Sequence, residues 1–188
     1  DWFDAITRKG KVQNYSMNIS GGTEKTNYYF SADYFKDEGI MIGNDYTRFV
    51  IRNTNDYKLT KFLRFGHTVN FTYALNNMKP NVFTDAYRIG STAPVRYPNG
   101  SYGYVTGLSV SNPVAAVNYT NNFSKAMRLQ GNVYLELTPL KGLTVRSSLN
   151  FNRPEEVVTN YVPKYVVSSV QQTFNSDLSL ENSSSLFY

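Results

Sequence analysis

Few side chains in this sequence are spaced for chemistry. Glu155 and Glu156 adjoin one another after Pro154. Hydrolysis of a glycosidic bond needs two carboxylates facing each other across a sugar, about 5–9 Å apart. Neighbours on an extended segment point to opposite faces, so this pair is not read as an acid–base couple. The one histidine, His67, shares an apolar phase with Phe65 and Val69 and reads as a packed or interfacial ring rather than a general base. With a single His and no Cys, multi-histidine metal sites, thiol nucleophiles and disulfides are excluded. Asp37, Glu38, Asn44 and Asp45 place oxygen donors in one connection, but without the spacing of a calcium-binding EF-hand loop, and they read as a solvated loop. No GxxxxGK[ST] cradle for phosphate is present. No catalytic residue, metal or cofactor is expected, and the chain is not read as an enzyme.

Recognition chemistry is better represented. Residues 77–125 carry Tyr87, Arg88, Arg96, Tyr97, Tyr102, Tyr104 and Tyr119 among Gly, Pro, Ser and Asn. Tyr and Arg offer large, partly polar contact area, and a connection of this length is uncommon unless it is functional, disordered or structured in its own right. The first six of these are the candidate contacts for a substrate or a covering partner. Within the same stretch, Asn112-Pro113-Val114-Ala115-Ala116-Val117 reads as a short helical turn.

The elements that must hold this segment are strands. Aromatic residues make up 15% of the 188 residues and charged residues only 18%, and Asn, Ser and Thr are abundant. Such a mixture favours two-faced extended segments over helices and excludes a disordered chain. Alternation is clearest from Leu63 to Asn76: Leu63, Phe65, His67, Val69, Phe71, Tyr73 and Leu75 oppose Arg64, Gly66, Thr68, Asn70, Thr72, Ala74 and Asn76. The same period of two runs through residues 13–20, 27–35, 46–57, 126–138 and 143–152, and a seventh strand is placed in residues 166–173. Across the six clear strands one phase carries no Asp, Glu, Lys or Arg, whereas the other holds Asp33, Arg48, Arg52, Asp56, Arg64, Arg128, Glu136 and Arg146. A lipid-facing surface demands that segregation, because Arg or Lys near a bilayer midplane costs about 2–4 kcal/mol. The dry core of a soluble sandwich would produce it too.

The connections separate the two readings. Short links around residues 21–26, 58–61 and 139–142 alternate with long ones around residues 37–39, 77–125 and beyond 153. In an antiparallel meander this puts every short turn at one end and every long loop at the other, as in outer-membrane barrels with short periplasmic turns and longer extracellular loops. Tyr15, Tyr34, Tyr46, Tyr57 and Tyr73 near strand ends suit interfacial girdles. Six or seven strands fall short of the eight of the smallest such barrels, so the chain reads as part of a larger one. The start at Asp1, without a signal-peptide pattern, suggests an internal piece of a longer precursor.

A set of motifs in order adds a resemblance. Asp1-Trp2-Phe3-Asp4-Ala5-Ile6, the stretch from Ile19 to Tyr29 with Gly21-Gly22-Thr23-Glu24-Lys25-Thr26 at its centre, Gly39-Ile40, Arg48 through Asn55, Asn112-Pro113-Val114-Ala115 and Pro139-Leu140-Lys141-Gly142-Leu143 together resemble the SusC/RagA family of TonB-dependent outer-membrane transporters. The resemblance spans residues 1–152. It implies an all-β antiparallel meander forming part of a transmembrane barrel of about 22 strands, with residues 77–125 as a long extracellular loop. It implies a multi-pass protein of a Gram-negative outer membrane, of the Bacteroides type, embedded in outer-membrane lipid. It also implies a SusD-like surface lipoprotein as outer lid, and uptake of oligosaccharide or peptide powered through the TonB complex. The family's plug, TonB box and barrel-closing strands have no counterpart in these residues.

The alternative from a different class is a soluble β-sandwich carbohydrate-binding or adhesin module. Nucleic-acid binding is not expected, because stacking rings and cations would have to share a face, whereas Arg64 and Phe65 fall on opposite ones.

Overall fold

The computed structural model describes residues 1–188. Seven strands form one antiparallel sheet. Across it, in order, lie β1 (Val12–Gly22), β2 (Thr26–Glu38), β3 (Asp45–Lys58), β4 (Leu63–Met78), β5 (Asn121–Leu140), β6 (Leu143–Val162) and β9 (Asp177–Ser184). Three short helices, α1 (Trp2–Ile6), α2 (Phe83–Arg88) and α3 (Pro113–Tyr119), and a hairpin of β7 (Tyr165–Ser168) and β8 (Gln171–Thr173) lie outside it. The sheet is a plain meander, and its two edges do not meet.

Register turns the alternation into two continuous surfaces. Ile19, Phe30, Asn53, Val69, Gly131 and Phe151 are successive cross-strand partners, and so are Tyr15, Tyr34, Phe49, Tyr73 and Met127. On β5 the apolar phase runs from Met127 to Leu137, and on β6 from Leu143 to Phe151. Both lengths suit the roughly 9–11 tilted residues that cross a bilayer. Beyond the belt this face turns polar, with Lys125, Arg153 and Glu155; Arg153 and Glu155 pair at 3.8 Å. No second sheet covers the belt: Met17, Ile19, Leu135 and Leu149 are exposed. That phase stands as it would on the outside of a barrel wall rather than in the core of a sandwich.

Two departures from the sequence reading concern β6 and the residues after it. β6 continues through Pro154 to Val162, far past residue 152. Residues 166–173 do not supply the seventh strand of the sheet; they form most of the separate β7–β8 hairpin, and Asp177–Ser184 pairs with β6 instead. Apolar alternation could not show either, because it holds only where one face is dry. β4 and β5 likewise extend to Met78 and from Asn121, so the connection between them comprises residues 79–120.

Glycine places aromatic rings on both faces. A Cβ on Gly131 would lie 2.2 Å from the Phe151 ring on the apolar side, and one on Gly66 would lie 2.3 Å from the Tyr134 ring on the polar side. Each ring lies against its cross-strand glycine partner.

Candidate functional site

All long connections converge at one end of the sheet and build a small core of their own. Trp2 and Ile6 of α1, Met41 from the β2–β3 link, Val82, Ala86 and Ile89 around α2, and Val110 and Val117 around α3 form a single cluster of 8 buried residues. Asp1 starts α1 by accepting from the Phe3 amide at 2.9 Å, the usual service of an aspartate at a helix N-cap. The Trp2 indole donates to the Gly90 carbonyl at 3.2 Å. Arg8 straps the N-terminal segment to the β2–β3 link: it donates to the Gly39 carbonyl at 3.1 Å and pairs with Asp45. Glu38 pairs with Lys36 at 2.8 Å. Asp45 and Glu38, two of the oxygen donors of this connection, are thus each matched to a cation.

The 79–120 connection is closed at its base. The Lys79 amide donates to the Asn44 side chain at 2.6 Å, and the Lys79 ammonium donates to the Thr120 carbonyl, joining the point where the chain leaves β4 to the point where it returns. Burial pushes the Lys79 ammonium below its ordinary value, since a low-dielectric surrounding disfavours the charged form.

Asn112 is the hub above this base, and it is 1% exposed. Its side-chain oxygen caps α3 by accepting from the Ala115 amide at 3.0 Å. Its side-chain nitrogen donates to the carbonyls of Val95, at 3.0 Å, and Gly103, at 2.8 Å. Its backbone exchanges two bonds with the Gln171 carboxamide, at 2.7 and 3.0 Å. Both residues are buried and fully engaged, so the β7–β8 hairpin is latched to α3. Tyr119 and Tyr165 add a face-to-face stack with centroids 4.2 Å apart. Burial raises the Tyr165 phenol above its ordinary value, with Tyr119 adding to the effect. The sequence places a helical turn at Asn112, as the structure does, but assigns the asparagine no role and gives no sign of Gln171. A buried carboxamide partner 59 residues away leaves no periodic trace.

The six residues singled out for recognition fall into three groups. The Arg96 guanidinium lies over the Tyr102 ring at 3.9 Å and donates to its hydroxyl at 2.7 Å, and Asn118 donates to the same hydroxyl at 2.8 Å. Tyr97 and Tyr104 meet edge to face at 6.3 Å. Tyr87 and Arg88, at the end of α2, are exposed, Tyr87 to 82%. Arg96 and Tyr102 therefore pack the loop, whereas Tyr87 and Arg88 present themselves to whatever approaches.

No family model matches the chain. It is 28% identical over 153 residues to TonB-dependent receptor P26 of Formosa agariphila, covering 80% of this chain and 16% of that protein. It is 24% identical over 183 residues to TonB-dependent receptor P3 of the same organism, covering 89% and 18%. Among solved structures, the RagAB peptide importer aligns over 90% of this chain and 20% of its own in two states. In the closed-closed state the TM-score is 0.69 at 21% identity, and in the open-open state it is 0.70 at 20% identity. The chain is similar in sequence to a stretch of TonB-dependent receptors, and it has the fold of the matching part of the RagAB importer. It spans less than a fifth of the length of the Formosa receptors it matches.

In such an outer-membrane barrel the apolar belt faces lipid and the polar phase lines the lumen. His67 belongs to the lipid-facing phase, where its Nε2 meets the side chains of Asn53 at 3.0 Å and Asn55 at 3.1 Å and its ring packs beside Tyr57 and Phe65. Glu155 and Glu156 fall on opposite faces. On the polar face Glu136 lies between Arg64 and Arg146, at 3.8 and 3.7 Å, and the Tyr134 hydroxyl donates to Asp56. The Arg146 guanidinium covers the Tyr134 ring at 3.7 Å.

Proposed function

We propose that this chain supplies wall strands and an outer vestibule to a multi-pass importer of a Gram-negative outer membrane, one that takes up oligosaccharide or peptide. The observation that carries the reading is the division of one sheet into an uncovered apolar belt of bilayer height and a polar inner face, with every long connection folded together at one end. The importer works with a SusD-like surface lipoprotein as lid and draws energy from the TonB complex through parts of the receptor outside these residues. Residues 79–120 form an extracellular loop; Tyr87 and Arg88 touch the lid or the substrate, while Arg96, Tyr97, Tyr102 and Tyr104 hold the shape of the surface that does so.

The test uses the full-length receptor, affinity-tagged in its native membrane. Extraction requires detergent, a lipoprotein co-purifies, and Tyr87→Ala with Arg88→Ala reduces its recovery without reducing the amount of barrel. Extraction without detergent sinks the membrane reading. A receptor that comes out alone, with unchanged growth on oligosaccharide and peptide sources after its deletion, sinks the importer reading.

A further inference from the structure

The lumen face holds more cations than its carboxylates match. Arg64 and Arg146 share Glu136, and Asp56 is taken by Tyr134. Arg48, Arg52 and Arg128 have no carboxylate within ion-pair distance. Arg48 leans over the Phe35 ring at 5.6 Å. Arg52 and Arg128 are held in a shared manner: a carboxamide on the neighbouring strand accepts from each Nε, Asn70 for Arg52 at 2.7 Å and Asn152 for Arg128 at 2.9 Å. Gln130, turned so that its oxygen faces Arg128, accepts from Nε and Nη2 at 3.3 and 3.2 Å. The Arg52 terminal nitrogens bond to no protein atom, and both side chains are exposed on this fragment's inner face.

Neutral acceptors at Nε fix the plane of a guanidinium without cancelling its charge, which leaves the remaining donors set for a planar or tetrahedral anion. Register places the two arginines on strands β3 and β5, one same-face step apart along the strands: Arg52 pairs with Asn70 and Arg128 with Thr72. At ordinary sheet spacing their backbones lie about 10 Å apart across the sheet and about 7 Å along it, within reach of one oligomeric ligand. Asp33 lies in the same groove as Arg48 and Arg52, and Glu156 lies on the face of Arg128, one same-face step beyond its partner Pro154; three cations thus stand against two carboxylates, neither of them ion-paired to an arginine. Around them the wall is hydroxyl and carboxamide, including Asn18, Ser31, Thr68 and Asn132, groups that both donate and accept.

We propose that Arg52 and Arg128 form a lumenal subsite for an anionic group, carboxylate or sulfate, carried by the imported oligomer, with Asn70 and Asn152 as positioning residues. The inference rests on the importer reading and narrows its substrate. The full-length receptor, purified in detergent with its lipoprotein, is offered five pools: oligogalacturonates, sulfated galacto-oligosaccharides, Glu-rich peptides, neutral malto-oligosaccharides and neutral peptides. Retained species are counted by mass spectrometry. An anionic pool is retained about tenfold over its neutral counterpart, the size of one charged hydrogen-bonded contact, and Arg52→Gln with Arg128→Gln removes the excess. Asn70→Ala removes part of it while leaving the charge in place. Which anionic pool is retained distinguishes uronate, sulfate and peptide as the source. Retention of a neutral pool, equal in wild type and variant, overturns the subsite and leaves the importer standing. So does a variant that retains anions normally but admits large antibiotics, since the arginines would then hold an acidic segment of the receptor itself. Retention of nothing, with no growth defect on deletion, removes subsite and importer together.

Discussion

The wall and the loop end are held together by different physics. Every buried hydrophobic residue of the chain, from Trp2 to Val167, lies outside the seven strands of the sheet. The wall has no apolar interior. Its strands are joined by backbone ladders, by polar pairs on the inner face such as Asn132 to Asn150 at 2.7 Å, and by an outer face meant for hydrocarbon. The loop end, by contrast, folds like a very small water-soluble domain, with capped helices, a buried aromatic and a saturated carboxamide hub. One chain is thus written for two solvents, and a substitution should be judged by which solvent its side chain meets.

The sharpest way to break this comparison is charge in the belt. Val69 lies near mid-height, between Asn53 and Gly131, whereas Thr68 faces inward between Thr54 and Asn132. Val69→Arg in the full-length receptor costs about 2–4 kcal/mol at such a depth and prevents accumulation of heat-modifiable barrel in the outer membrane. Thr68→Arg permits it. Equal tolerance of the two substitutions removes lipid from the account of the outer face.

The loop end fails by another route. Replacing Asn112 with Ala deprives the Val95 and Gly103 carbonyls, the α3 cap and the shape of the Gln171 contact at once. Leaving buried polar groups unmatched costs about 1–3 kcal/mol each. The expected outcome is faster amide exchange in residues 79–120 and 163–176, with protection in β1–β6 unchanged. Spread of the exchange into the sheet would mean that wall and loops are one cooperative unit.

These differences also govern what sequence could reveal. The wall was legible because a strand with one dry face prints its period on the residues, and because short and long links sort themselves by end. Legibility stopped where the belt stops: the upper halves of β5 and β6, and the whole of β9, stand in water on both faces or carry only Leu178 and Leu180 as signal. The core of the loop end was not legible either. Trp2 meets Gly90, and Asn112 meets Gln171, across separations that no local pattern encodes. Composition marked residues 77–125 for recognition but could not tell Tyr87, which is exposed, from Tyr102, which is engaged by Arg96 and Asn118.

The finest test compares the two faces through the glycines beneath Phe151 and Tyr134. Glycine in a strand gives up roughly 0.5–1 kcal/mol of backbone entropy relative to alanine, so each Gly→Ala change starts with a gain of that size. At Gly131 the added methyl meets only the far edge of the Phe151 ring, and that ring can tilt outward into lipid. The two effects offset, and Gly131→Ala is expected to change stability by less than about 0.5 kcal/mol. At Gly66 the methyl meets the Tyr134 ring and the Asp56 carboxylate, 2.3 and 2.5 Å from where it would stand. Tyr134 cannot yield as freely, because its hydroxyl is bonded to Asp56 and Arg146 covers its face. Overpacking against such a fixed ring costs about 1–3 kcal/mol, so Gly66→Ala is expected to lower the urea midpoint of the full-length receptor measurably while Gly131→Ala does not. A reversed order would mean that the outer ring is the confined one, and that something other than lipid lies against that face.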